Sequence, residues 1–234
     1  GTCHRLWTAL GHKDRDERNT PEIQRSDLAE VVLLLHSLGI REAATFDWLD
    51  KPDPQAVLRA ERLLTMLGAL LDADLTPIGR QMLRLPMHPR YSRMLIEASQ
   101  RGCVPDAALC AALVSGRDLL ARLDRDDADS ADSDFITLMR AYEFAKENGF
   151  SFDRGRSYGI NAQVARQVEQ TFQQIMHAAK QSLPGHDARP ASSDALLRCL
   201  MAGFADHLAT RRTPRPPQGG HTPPRAGLLL RGDK

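Results

Sequence analysis

The chain has 234 residues, 42% of them hydrophobic and 26% charged, with a formal net charge of +1, which are ordinary proportions for a globular protein with a real core. A global basic field is therefore excluded, and no apolar run approaches the roughly 20 residues of a bilayer-spanning helix. No signal peptide is visible, and aromatics at 5% leave the packing to Leu, Ala, Val and Met.

Residue 1 is Gly, and a β-compatible run from Gly1 to Trp7 follows at once. It predicts an edge strand of a sheet whose other strands are absent, as though the chain began inside a longer protein. Gly11 to Arg18 reads as a charged connection. Thr20 and Pro21 then open a helical region. Its apolar residues Ile23, Leu28, Val31, Val32, Leu35 and Leu38 recur at three- and four-residue steps, and Gly39 closes it. In the Asp- and Pro-rich break from Phe46 to Pro54, Phe46, Trp48 and Leu49 are expected as buried anchors.

A second helix is predicted over Gln55 to Leu67, with Val57, Ala60, Leu63, Leu64 and Leu67 facing inward. Leu70 to Leu75 reads as a small hairpin or wing with Asp72 and Asp74 as turn residues. Thr76 is placed as an N-cap and Pro77 at the first helical position. Pro86 stops that short helix and Pro89 opens the next. The stretch from Leu75 to Arg93 thus reads as a seam between two helical modules, with Arg80, Arg84, Arg90 and Arg93 around it.

From Pro89 onward the pattern is all-helical. Tyr91, Met94, Leu95 and Ala98 form a stripe, and Val104 to Val114 is apolar nearly all round, as a central buried helix would be. Leu119 to Asp134 holds six aspartates. It lacks the central Gly and closing Glu of a calcium loop, so it reads as a solvated linker. Further helices are predicted at Phe135 to Asn148, Gly159 to Leu183 and Asp194 to Gly203, the last capped by Ser192 or Ser193. Ser151 to Tyr158 between them reads as a polar turn. Five prolines between Thr213 and Gly227 mark a tail whose composition is that of disorder.

Cys3, Cys103, Cys110 and Cys199 form no C-x-x-C pair and no zinc spacing, so buried thiols in a reducing compartment are expected. The sequence contains no G-x-x-x-x-G-K-[ST], no G-x-G-x-x-G after a strand, no H-E-x-x-H and no G-x-S-x-G. By residue pattern alone it is a mostly helical protein without an active site.

Three stretches nevertheless resemble the C-terminal half of a DEAH/RHA-type ATP-dependent helicase, most closely the bacterial HrpB type. They are GTCHRLW at Gly1 to Trp7; TPEIQRSDLAEVVLLLHSLGI at Thr20 to Ile40 with FDWLDKP at Phe46 to Pro52; and LGALLDADLTPIGRQMLRLPMHPRYSRMLIEASQRGC at Leu67 to Cys103. Weaker likenesses follow at Tyr158 to Val168 and Ala202 to Arg212.

The resemblance implies a mainly α fold: a remnant strand and linker of a second RecA-like domain (1–19), a winged helix (20–85), a helicase-associated helical or ratchet domain (86–210) and a tail (211–234). It implies a cytoplasmic accessory module that guides single-stranded RNA or DNA past RecA-like motor domains, with no membrane involved. ATP and Mg would serve the full-length parent, while this chain carries no cofactor, no metal and no catalytic residue. The nucleic-acid-binding candidates are Arg84, Arg90, Arg93 and Arg117; the competing role is ordinary surface or ion-paired arginine. Pro21, Glu22 and Arg25 are candidates for the motor interface, with local helix capping as the rival. A stand-alone winged-helix binding or scaffold protein is the alternative from another class; its recognition helix would be Gln55 to Leu67, where Arg59 and Arg62 are offset by Glu61.

Overall fold

Caps and turn formers crowd the sequence between Leu67 and Pro89. In the computed structural model, which describes residues 1–2, 4–14, 18–120, 134–185 and 193–209, they set the architecture. A first short helix, α1 (Ala9–Lys13), is capped by Thr8, whose hydroxyl accepts from the Gly11 N–H at 3.1 Å. The strand expected at Gly1 to Trp7 does not form among the described residues. An edge strand takes its ladder from a neighbour, and the described residues offer none.

Helix α2 (Ala29–Ser37) starts later than its apolar period suggested. A 3-10 turn at Glu22–Gln24 comes first, and then the Asp27 carboxylate accepts from the Ala29 N–H at 2.8 Å. Leu28, Val32 and Leu35 are buried, but Val31 and Leu38 face outward. Trp48 is half-buried and its indole N–H donates to the Ala43 carbonyl at 2.9 Å. Leu49, expected beside it in the core, is fully exposed, whereas Phe46 is 37% exposed and packs edge-on against Trp48. The Asp and Pro residues around them keep this break outside the core.

Helix α3 (Pro54–Met66) is capped by Asp53 and buries Val57, Ala60, Leu63 and Leu64 against α2. The wing is a two-residue-per-strand hairpin, β1 (Leu70–Leu71) with β2 (Asp74–Leu75), registered as Leu70 to Leu75 and Leu71 to Asp74. Its turn residues are Asp72 (φ 49) and Ala73 (φ 65). Two left-handed residues give the primed turn that matches strand twist. Asp74, expected in the turn, instead lies in β2 and pairs with Arg41 at 2.5 Å.

Thr76 caps α4 (Pro77–Met82), accepting from the Gly79 N–H at 3.0 Å. A Cβ at Gly79 would lie 2.4 Å from the Ala69 carbonyl oxygen, so only glycine lets α4 close onto the base of the wing. Helix α4 ends at Met82, before Pro86, whereas Pro89 opens the next helix as predicted. α5 (Pro89–Arg101) follows, with His88 Nδ1 accepting from the Arg90 N–H.

The remaining elements are helical: α6 (Val104–Ser115), α7 (Asp134–Glu147), α8 (Phe152–Ser157), α9 (Ala162–Ser182) and α10 (Ser193–Gly203), then a 3-10 turn at Ala205–His207. Helix α6 is the hub. It touches α5, α7, α9 and α10 and buries Val104 and every residue from Ala107 to Leu113. The polar turn expected at Ser151 to Tyr158 is instead α8. Left-handed Gly149 and Phe150 end α7, and Ser151 restarts the chain in an extended conformation. Ile160, read as part of the long helix, precedes it and forms a β-bridge with Leu120.

One hydrophobic cluster runs from Leu28 through Met82, Leu85, Met94 and Leu95 to Cys199, so the winged and helical parts share a core. The proposed Asp-rich linker beyond Leu120, Cys3, Ser192 with the side chain of Ser193, and the proline-rich tail lie outside the described residues.

Candidate nucleic-acid interface

A strand-guiding wall needs cations that are free to meet phosphates and a rigid frame to carry them. The four candidate arginines divide two and two. Arg90 sits at the start of α5 and makes a bidentate pair with Asp206, at 2.6 and 2.5 Å, while donating to the Gly203 carbonyl at 3.1 Å. Its guanidinium also lies 5.4 Å from the Phe204 ring centroid. The Asp206 carboxyl is held below the ordinary value because Arg90 hydrogen-bonds to it. Arg93 pairs with Glu97 at 2.9 Å, and Glu97 also accepts from Arg101. Burial acts to raise the Glu97 carboxyl, but the hydrogen bonds from Arg101 and Arg93 outweigh it and leave it lowered. Arg90 and Arg93, expected from charge to face phosphates, are therefore engaged inside the chain.

Arg84 and Arg117 are exposed, and neither guanidinium has an ion-pair partner among the described residues. They are far apart. Arg84 lies at the C-terminal end of α9, where its backbone carbonyl accepts from the Ser182 hydroxyl at 3.1 Å. Arg117 lies at the N-terminal end, beside the Asn161 cap.

Helix α9 connects them. Val164, Ala165, Val168, Ile175 and Ala179 are buried on its inner face. Gln163, Gln167, Gln170, Gln174, His177 and Gln181 are all exposed and recur at alternating steps of four and three. This spacing lays them in one stripe about 27 Å long at 1.5 Å per residue. Gln163, Gln167, Gln170 and Gln174 have no side-chain hydrogen-bond partner among the described residues. Open depressions of about 490 and 570 Å³ flank the two ends, the first lined by Arg117, Gln163 and Gln167, the second by Arg84, Gln174 and His177. The stripe was overlooked in the sequence reading, although its signal was there: the polar residues of α9 keep the same period as the apolar ones.

The three motor-interface candidates occupy one short segment. Glu22 opens the 3-10 turn, and its carbonyl accepts from the Arg25 and Ser26 N–H groups at 3.0 and 2.9 Å. Pro21 is half-buried, and the Glu22 and Arg25 side chains are exposed. Helix α3, the alternative recognition helix, pairs Arg59 with Asp53 at 3.6 Å and exposes Leu58 and Met66.

No cluster of three or more His, Cys, Asp or Glu among the described residues is arranged to hold a metal ion. With no phosphate-binding loop in the sequence either, these residues do not fit ATP and magnesium, and no nucleotide step is assigned to them. No helix of the described residues is long and apolar enough to cross a membrane.

Comparison with known proteins gives a consistent result. Residues 60–87 match the helicase-associated domain (HA2) in its winged-helix form, and residues 88–197 match the ratchet-like form. The chain is 27% identical over 232 residues to the ATP-dependent RNA helicase HrpA of Escherichia coli, covering 90% of this chain and 18% of the relative. It is 30% identical over 222 residues to the pre-mRNA-splicing factor ATP-dependent RNA helicase prp22 of Schizosaccharomyces pombe, covering 90% and 19%. It is 30% identical over 227 residues to the ATP-dependent RNA helicase DHX33 of Mus musculus, covering 91% and 32%. The chain thus spans between about a fifth and a third of the length of these relatives.

Proposed function

We propose, from the premise that this chain belongs to the helicase-associated winged-helix and ratchet-like family of DEAH-box RNA helicases, that the outer face of α9 is a wall along which single-stranded RNA is guided. The observation that carries this reading is the pair of guanidiniums, Arg117 and Arg84, without ion-pair partners among the described residues and at opposite ends of one glutamine-rich face. Cations grip phosphates, while glutamine amides donate and accept with equal ease. A strand held mainly by amides between two cations is oriented without being pinned at every phosphate. That suits a surface past which a strand is moved by a motor elsewhere.

In this reading 1–19, 20–85, 86–210 and 211–234 are the motor remnant, winged helix, ratchet and tail, and Pro21, Glu22 and Arg25 meet the RecA-like domains. The finer HrpB-type assignment and a cytoplasmic setting belong to the same proposal. The chain alone is expected to show no ATP turnover above a mock-purified control. Duplex reading by α3 is disfavoured because Arg59 is paired and Arg59, Arg62 and Met66 line a crevice shared with Asp206.

The test is fluorescence anisotropy of a labelled oligouridylate with the whole chain across a salt series. Arg84→Gln with Arg117→Gln should weaken binding and flatten the logarithmic salt slope by ~0.7 for each cation. Unchanged affinity and slope would remove this face from consideration.

A further inference from the structure

Helix α8 carries a feature that the guiding wall leaves unused. Phe152 is 63% exposed and lies one helical turn before Arg156, so the two side chains share a face of α8. Phe152, Arg156, Gly159, Ile160, Asn161 and Ala162 line a cavity of about 320 Å³. That is the bottom of the ~300–1,000 Å³ range of small-molecule sites, with room for one flat ring system and little beyond. Arg156 is the single charged residue of the lining, and its guanidinium has no partner among the described residues. Tyr158, 60% exposed, stands next to it with its ring 4.5 Å from that of Phe144.

An apolar ring of this size left in water, beside an unengaged guanidinium plane, is a stacking platform in need of a partner. The cavity shares Asn161 with the depression that contains Arg117, so it continues the face already proposed for the strand. We infer that this corner seats one nucleobase of single-stranded RNA, stacked on the Phe152 ring and covered by Arg156, with the adjoining phosphate toward Arg117. The inference rests on the strand-guiding reading and sharpens it: a stacked base would register the strand, where the glutamine face only supports it. Every base has a π face, so the seat would not select sequence.

The experiment uses the whole chain and oligouridylates carrying a single 2-aminopurine, whose fluorescence is quenched by stacking, at successive positions. Quenching is expected at one position. Phe152→Leu, which keeps apolar bulk and removes the ring, should abolish that quenching and weaken binding roughly 5- to 100-fold, the range for one lost base stack. Placing an abasic nucleotide at the same position should weaken wild type equally and leave the Phe152→Leu protein unaffected. Unchanged circular dichroism of the variant shows that it has folded. Tight binding that depends on Arg84 and Arg117, without quenching and without a Phe152 effect, would overturn the base seat and leave the guiding wall intact. Absence of any binding would overturn both. Should Phe152→Leu abolish self-association while sparing RNA affinity, the platform is an interface between copies and the inference falls.

Discussion

Two sets of arginines, close in sequence and alike in chemistry, do different work in this molecule. Arg90 and Arg93 on α5 point into the join between helices and meet carboxylates there. The side chain of Arg90 is 16% exposed, and its partner Asp206 lies 116 residues further along the chain. Arg84 and Arg117 stand in solvent at the two ends of α9 with no ion-pair partner among the described residues. Charge alone does not separate them. The difference lies in whether a counter-charge stands within reach, 116 residues away for Arg90 and one helical turn on for Arg93, and a cation already paired has little left to offer a phosphate.

This contrast can be broken at several points. The largest effect is expected where α10 approaches α5. A Cβ at Gly203 would lie 2.7 Å from the Arg90 carbonyl oxygen. Gly203→Val should therefore cost ~3 kcal/mol through overpacking, measured by urea unfolding. Next comes the ion pair. Arg90→Met should cost about 2 kcal/mol, as the loss of charge-assisted hydrogen bonds does, without changing the salt slope of RNA binding.

The same pair gives a pH signature. Asp206 titrates below its ordinary value of 3.8 in the folded chain. Its contribution is thus present above that value and fades as pH falls toward the lowered one. Asp206→Asn should remove this part of the acid sensitivity below about pH 4, and a variant that loses stability with acid just as steeply as wild type would refute the assignment. A smaller effect of opposite sign is expected at the wing, remote from both arginine sets. Ala73, at φ 65, should tolerate Gly with a gain of ~1 kcal/mol, because glycine carries no left-handed penalty. The smallest change in stability, within about 0.5 kcal/mol, is expected for Arg84→Gln with Arg117→Gln. That double variant instead carries the loss of RNA affinity.

Much of the architecture is legible in the sequence. The apolar period of α3, the burial of α6 from Ala107 to Leu113, the cap at Thr76 and the opening of α5 at Pro89 are local signals that the structure bears out. The misreadings share a cause. Leu49 was assigned to the core because it is apolar, yet the Asp and Pro residues around it hold that loop outside. The strand at Gly1 to Trp7 needs a neighbour to pair with. The stretch from Ser151 to Tyr158 reads as a turn by composition, yet left-handed Gly149 and Phe150 end α7 and the chain becomes helical again from Phe152.

Local sequence, then, was enough to specify the longer helices and several of their caps, though not α1, α8 or the late start of α2, and that no phosphate-binding loop is present in these 234 residues. Those properties depend on period, capping and dihedral preference, all within a few residues of chain. That Arg90 is spent on Asp206, while Arg84 and Arg117 have no ion-pair partner among the described residues, was settled only by the tertiary structure. So was the alignment of six side chains into one outward stripe between two open ends. Pairing across 116 residues and exposure of a helix face depend on what packs against what, and neighbours in sequence carry no record of it.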